Sequence, residues 1–237
     1  MKDFSENGSS LEAQNLYRES LGTDIYDEFI LGKNTTKILL TDPKLLLFTL
    51  ARYKFVAKMF SGLKRVLEIG CQEGFGAMIV SQTTDHLHGI DFFIPHIQSC
   101  KRRISSTKLT FEVADILSEQ LTDGYDGVFA LDVLEHIHPE KEELFMQNVC
   151  NLLKDQFGIA IIGMPSLESQ KYASEASKIG HVNCKTGDQL KSLASKYFSN
   201  VFLFSMNDEV LHIGFPPMAH YILVMCVNPK NHELNQC

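Results

Sequence analysis

Arg65-Val-Leu-Glu-Ile-Gly-Cys-Gln-Glu-Gly-Phe-Gly76 decides the fold: a short apolar run breaks into a glycine-bearing turn, with Glu68 two positions before Gly70. The spacing predicts a strand over 65–69, a turn whose bare backbone can approach a ligand, and a helix offering free N–H groups and a positive dipole end. The dinucleotide fingerprint G-x-G-x-x-G is absent. Counted from Gly70, its later glycines fall on Gln72 and Phe75, and counted from Gly74 the last falls on Ile79. A pyrophosphate cradle is therefore incomplete, and what remains is Glu-x-Gly-x-x-x-Gly on Glu68, Gly70 and Gly74.

Working outward, Leu87-His-Gly-Ile-Asp91 reads as the next strand and ends in an acid 21 positions after Gly70. An acid about 20 residues past such a turn hydrogen-bonds ribose hydroxyls in nucleotide-binding α/β units. A third strand, Leu109-Thr-Phe-Glu-Val113, leads to Ala114-Asp115-Ile116, and a fourth opens Gly127-Val-Phe-Ala-Leu-Asp-Val-Leu-Glu-His-Ile137. Singly, each has a plain reading: glycines after strands mark ordinary turns, and an Asp at a strand end caps helices. In this order, over about residues 50 to 227, the four resemble the motifs of class I S-adenosylmethionine-dependent methyltransferases.

That resemblance implies S-adenosylmethionine as the cofactor and a site for it on this chain's matching positions. Glu68, Gly70, Cys71, Gln72 and Gly74 would meet its methionine portion, Asp91 its ribose, and Phe92 with Asp115 and Ile116 its adenine. Leu131, Asp132 and His136 would border the methionine or the methyl acceptor. The family commonly carries glycine where Gln72 stands, so a left-handed backbone there would be strained.

The 237 residues suit one large core, and 44% apolar with 22% charged residues is ordinary for a globular chain. The net charge of −7 argues against nucleic acid, since phosphate contacts need a basic face, and the densest basic run is only Lys101-Arg-Arg103. Six cysteines without a C-x-x-C pair suggest reduced thiols in a cytoplasm rather than a zinc or redox site. A polar amino terminus and the lack of an 18-residue apolar run predict a soluble protein with no membrane partner.

Apolar runs at 65–69, 87–91, 109–113, 126–131, 158–163, 200–205 and 219–227 alternate with helical stretches until the last two. This predicts an α/β, Rossmann-like, doubly wound sheet of seven strands, mostly parallel, whose last strand is antiparallel because it returns as a hairpin. One domain, 1–237, is expected, with residues 1–60 as a helical cap. Within it residues 1–10 read as loose, Leu11–Leu21 as a short helix, and Asp42-Pro43 as the start of a helix to Phe60. Leu46, Leu47, Leu50, Phe55 and Met59 form that helix's expected core stripe.

Two long polar loops follow the fifth strand, 164–185 and 206–218, and long loops in compact domains tend to be functional. By resemblance, Gly180-His-Val-Asn183 lies beside the acceptor, which makes His181 the candidate base, with an imidazole pKa suited to proton transfer near neutrality. His136 is the competing histidine. Tyr172, Asn183, Asn207, His212 and His220 are the candidate acceptor ligands, and no ligand spacing supports a metal. The segments Pro165–Tyr172, Gly180–Asn183 and Ser205–Tyr221 resemble a bacterial subgroup associated with surface-polysaccharide and sugar-nucleotide modification. The expected reaction is thus methyl transfer to a hydroxyl or phosphate-type oxygen of a small polar metabolite, with a homodimer admitted. Rival readings are a quinone-like or protein acceptor, a nicotinamide oxidoreductase, and a non-catalytic cofactor-binding partner.

Overall fold

The computed structural model describes residues 6–20, 29–118, 121 and 124–230. The chain divides into two compact units, residues 1–30 and 31–237. The first contains α1 (Glu6–Ser20), which already includes residues 6–10, where the sequence reads as loose. Residues 1–5 and the expected helix end at Leu21 lie outside the described residues. Leu11, Leu16 and Tyr17 on α1 are each at least 60% exposed, so its apolar residues are not core.

The second unit runs α2 (Lys33–Thr41), α3 (Pro43–Met59), β1 (Arg65–Ile69), α4 (Phe75–Val80), β2 (His86–Asp91), α5 (Ile94–Arg103), β3 (Leu109–Val113) and β4 (Gly127–Leu131). It continues with α6 (Glu142–Leu152), β5 (Ile159–Pro165), α7 (Glu175–Gly180), α8 (Gly187–Ser195), β6 (Phe198–Asn207), β7 (Val210–His212) and β8 (Tyr221–Pro229). The sheet order is β3-β2-β1-β4-β5-β8-β6-β7, with the first five strands parallel and β8 antiparallel to both β5 and β6. Each predicted strand is present and the antiparallel return is as expected, but the sheet has eight strands rather than seven. The extra one, β7, lies inside the predicted 206–218 loop and folds back on β6 with Asn207 opposite Val210. Asp208 makes that two-residue turn at φ 52°, a conformation that aspartate tolerates better than most residues.

The central parallel strands are apolar on both faces, as β4 shows by burying all five of its residues, because helices cover each side, whereas the edge strand β3 alternates buried and exposed residues. On one side Phe60, Phe129, Leu87 and Ile97 pack together; on the other Phe145, Met146, Leu134 and Phe198 do. Each such side chain contributes on the order of 1.5–3 kcal/mol by leaving water.

Asp42 caps α3 as predicted, its carboxylate accepting from Leu45 N at 3.3 Å, with Pro43 in the first turn. The core stripe of α3 is different from the predicted one. Of Leu46, Leu47, Leu50, Phe55 and Met59 only Phe55 is buried, and the inward face is Arg52, Phe55, Val56 and Ala57, continued by Phe60. α3 packs chiefly against α4 and α2 rather than directly on the strands, so the helix period alone does not select its inward face. Order reverses between β1 and β4, and ligands of open α/β sheets bind outside the strand carboxyl ends at such a point. Among the described residues no helix is long and apolar enough to cross a membrane.

Candidate active site

The turn after β1 is shaped by its glycines. Gly70 sits at φ 74°, and a Cβ there would lie 2.5 Å from Val133 Cγ2, so the β1 and β4 turns approach each other only because residue 70 is bare. Gly74, at φ 73°, starts α4. Between them Gln72 adopts φ 46°, the left-handed conformation that a non-glycine residue resists. It is held by a hydrogen bond from Gln72 N to Asp91 Oδ2 at 2.9 Å. Asp91 Oδ1 accepts from Phe93 N at 2.8 Å, and His96 Nδ1 lies 3.3 Å from Oδ2. The acid at the end of β2 thus organises the β1 and β2 turns together, and its remaining lone pairs face a cavity.

That cavity measures about 850 Å³, within the range of small-molecule sites, and lies where β1, β2 and β4 end. Of the predicted cofactor residues, Gly70, Gln72, Asp91, Phe92, Asp115, Ile116, Asp132 and His136 line it. Phe92 is 74% exposed, which leaves its ring available for stacking. Asp115 also takes the plain role of a turn acid, its Oδ1 accepting from Leu117 N at 2.9 Å.

Glu68, Cys71, Gly74 and Leu131 are not in the lining. Leu131 and Cys71 are core, Gly74 packs on Phe111, and Glu68 is 1% exposed beneath the turn. Burial first, then the nearby charge of Asp91, pushes the Glu68 carboxyl up to about 8 despite a hydrogen bond with Tyr53. It supports the turn from below as a neutral acid. Phe93, the residue just before α5, and His96 within it also line the cavity, and the sequence motif, which ends at Phe92, does not reach them.

At the other end of the cavity, Asp132 turns out of β4 at φ 58° and accepts twice from Arg52 Nη1, at 3.0 and 2.8 Å. The Arg52 guanidinium also stacks 3.7 Å over the Tyr221 ring, so α3, β4 and β8 meet in one charged and aromatic contact. Beside it, the rings of His136 and His181 are 5.1 Å apart. His136 Nδ1 donates to Gly180 O at 2.9 Å, because a carbonyl can only accept. His181 Nδ1 lies 2.9 Å from Gln170 Oε1, while Gln170 Nε2 donates to Ser166 O at 3.1 Å, which fixes the amide so that His181 donates. Among the described residues neither Nε2 has a hydrogen-bond partner, so both remain available to a ligand. Partial burial, then the neighbouring His136, hold His181 below the usual histidine pKa.

The candidate acceptor ligands separate into two groups. Tyr172 is 82% exposed at the end of a short 3-10 turn. Asn183 is buried and bonded to Glu142 and Lys185. Asn207 donates to Met218 O and accepts from His212 Nε2, and His220 Nε2 accepts from Asp208 N. These four tie the loops together, and none of them lines the cavity. The five described cysteines are free, and Cys237 lies outside the described residues.

Residues 66–156 match the family model described as a methyltransferase domain. No curated protein matches by sequence. Among solved structures, the N-methyltransferase NodS from Bradyrhizobium japonicum WM9 in complex with S-adenosyl-L-homocysteine aligns with TM-score 0.61 and 16% identity, over 81% of this chain and 90% of that one. The putative methyltransferase in complex with the Haloferax volcanii Trm112 methyltransferase activator aligns with TM-score 0.63 and 11% identity, over 84% and 100% of the two chains. A Haemonchus contortus phosphoethanolamine N-methyltransferase 2, bound to phosphomonomethylethanolamine and S-adenosylhomocysteine, aligns with TM-score 0.58 and 16% identity, over 75% and 53%. The segment that lines the cavity thus falls within the stretch, residues 66–156, that matches a methyltransferase domain, and the sheet around it shares its fold with these methyltransferase structures.

Proposed function

We propose that this chain transfers a methyl group from S-adenosylmethionine to an oxygen, hydroxyl or phosphate-type, of a small polar metabolite such as a sugar or a nucleotide-activated precursor of surface polysaccharide. When bound, the cofactor supplies an already activated methyl on a sulfonium. The chain's own residues then have to bind, orient and handle a proton. Asp91, backed by His96, offers acceptor lone pairs for ribose hydroxyls, and Phe92 with Ile116 offers flat apolar walls for the base. Lys141 is the sole lysine or arginine among the described lining residues, which does not suit a pyrophosphate and speaks against a nicotinamide dinucleotide.

The observation that carries the oxygen acceptor is the pair of available Nε2 lone pairs on His136 and His181. Both can accept from a hydroxyl, and His181, already held neutral by its surroundings, is the one assigned to take the acceptor's proton. Transfer then needs the acceptor oxygen held in line at about 3–3.5 Å from the methyl. Nitrogen is the second reading, since an amine would also donate to these lone pairs and two of the aligned structures are named N-methyltransferases.

A screen of sugar nucleotides, phosphorylated metabolites and amines with isotope-labelled cofactor, read by mass, tests this. Label on an oxygen is expected, and label only on nitrogen would overturn the oxygen reading. His181→Ala should bind cofactor normally and turn over about 10²–10⁴-fold more slowly. Full kcat in that variant, with loss in His136→Ala, would move the role to His136.

A further inference from the structure

Glu135 immediately precedes His136, and its side chain is fully buried, at 0% exposure. Neither carboxylate oxygen has a hydrogen-bond partner among the described residues. Leaving a buried carboxyl without a hydrogen bond is expensive in either protonation state: ionised, its nearby positive charge is Arg52, whose hydrogen bonds go to Asp132, and protonated, it wastes a donor and an acceptor. Its carboxylate is nevertheless not remote from other ligands. One oxygen of Glu135, one ring nitrogen of His136 and one of His181 all lie within 4.8 Å of one another.

We propose that Glu135, His136 and His181 form a binding site for a divalent first-row transition-metal cation at the edge of the cofactor cavity. Two donors on opposite sides of such a cation stand ~4.2 Å apart, given metal–nitrogen bonds of ~2.1 Å, so small side-chain rotations close the three groups onto an ion. Two imidazoles and a carboxylate are a donor set that suits such metals and leaves coordination positions open. The outer contacts are those a metal site needs. A ligating histidine donates its second ring N–H to a carbonyl or carboxylate, and here His136 Nδ1 donates to Gly180 O while His181 Nδ1 donates to Gln170 Oε1. Asp132 is taken up by Arg52 and does not join the set.

The cation deepens the oxygen-acceptor reading and rests on it: the open positions would receive the acceptor's oxygen, His181 would hold the ion in place of acting as base, and a hydroxyl made more acidic by the cation would release its proton to bulk water, while an ionised phosphate-type oxygen has none to lose. It would also supply the positive charge that a phosphate-type oxygen requires and that the lining, with Lys141 alone, lacks.

The test uses the full chain, stripped with chelator, dialysed and titrated with cobalt(II) chloride while the visible ligand-field band is followed. One equivalent is expected to bind. His181→Ala and the isosteric Glu135→Gln should each weaken binding by at least about tenfold, and Gln170→Ala, which removes only the outer contact, by about 10–100-fold. His181 is partly exposed and Gln in place of Glu135 keeps the buried shape, so both variants are expected to show wild-type circular dichroism. Equal cobalt affinity in wild type and in both ligand variants would mean an adventitious ion only, and no binding at millimolar cobalt would equally overturn the site. Undiminished oxygen methylation after chelation, with no cobalt bound, defeats the cation and leaves the oxygen reading standing. Site-specific cobalt binding with label found only on nitrogen supports the cation and defeats the oxygen acceptor.

Discussion

At the scale of single residues, Asp91 and Glu68 show how two acids in one turn acquire different work. Asp91 gathers Gln72 N, Phe93 N and His96 Nδ1 around its carboxylate and still borders the cavity, so it remains available to a ligand. Asp91→Ala removes both a ribose acceptor and the anchor of Gln72. Calorimetry with S-adenosylhomocysteine should show affinity falling by about 10- to 150-fold, the equivalent of ~1.5–3 kcal/mol for a hydrogen bond to a charged group. Glu68 has no lining role, and its test is stability. Its carboxyl titrates at about 8 in the folded chain and near ~4.3 unfolded, so between those values the folded state binds the extra proton. Its stabilising contribution is full below the unfolded value and is lost as pH rises through the folded one. Glu68→Gln does not titrate. In denaturant melts the variant should gain on the wild type steadily from about pH 5 to about pH 9, and a constant gap would refute the raised carboxyl.

At the scale of elements, the β1–α4 turn stores strain at Gln72, φ 46°. Gln72→Gly should relieve it and raise the unfolding free energy by about 0.5–1 kcal/mol, after the extra freedom glycine gives the unfolded chain is subtracted. A lower denaturation midpoint would mean the side chain stabilises the turn in some other way. This strain was legible in advance, because the motif position calls for glycine and the chain supplies glutamine. The seven predicted strands were legible too, each being a continuous apolar run bounded by turn residues. β7 was not, since Val-Leu-His is three residues long and its turn, Asp208-Glu209, lacks the glycine that usually marks a two-residue hairpin. The inward face of α3 was misread for a related reason: Arg52 is buried by its partners Asp132 and Tyr221, and pattern reading assigns arginine to water.

At the scale of the whole molecule, the cavity joins segments 69–72, 90–96, 114–117 and 132–141, so a ligand there links parts far apart in sequence. Binding to the folded state alone adds about 2.7 kcal/mol at a hundredfold excess over Kd, a rise of roughly 5–10 °C in Tm for a chain of this size. S-adenosylhomocysteine should produce that rise and NAD should not; the reverse result would restore the oxidoreductase reading. The cavity was legible because lining residues such as Gly70, Asp91, Asp115 and Asp132 follow strand ends in a fixed order. The surroundings of the candidate acceptor residues were less so. Glu135 and Gln170 act through spatial neighbours on other segments, and Asn183, Asn207, His212 and His220, though polar and loop-borne, are engaged by contacts that only the folded loops reveal.

The contact of Arg52 with Asp132 and Tyr221 also bears on where this protein can be cut. A fragment trimmed to the span of the family match would begin at residue 66 and end at 156. It would discard the guanidinium that neutralises Asp132, and with β5 and β8 it would expose the whole flank of β4. Losing one partner of such an enclosed ion pair costs about 3–5 kcal/mol, comparable with the entire stability of many domains. An autonomous piece must accordingly reach beyond the recognisable motifs, to β5 and β8 on one side and to α3 on the other, and grafting this cavity onto another protein would require carrying that arginine along.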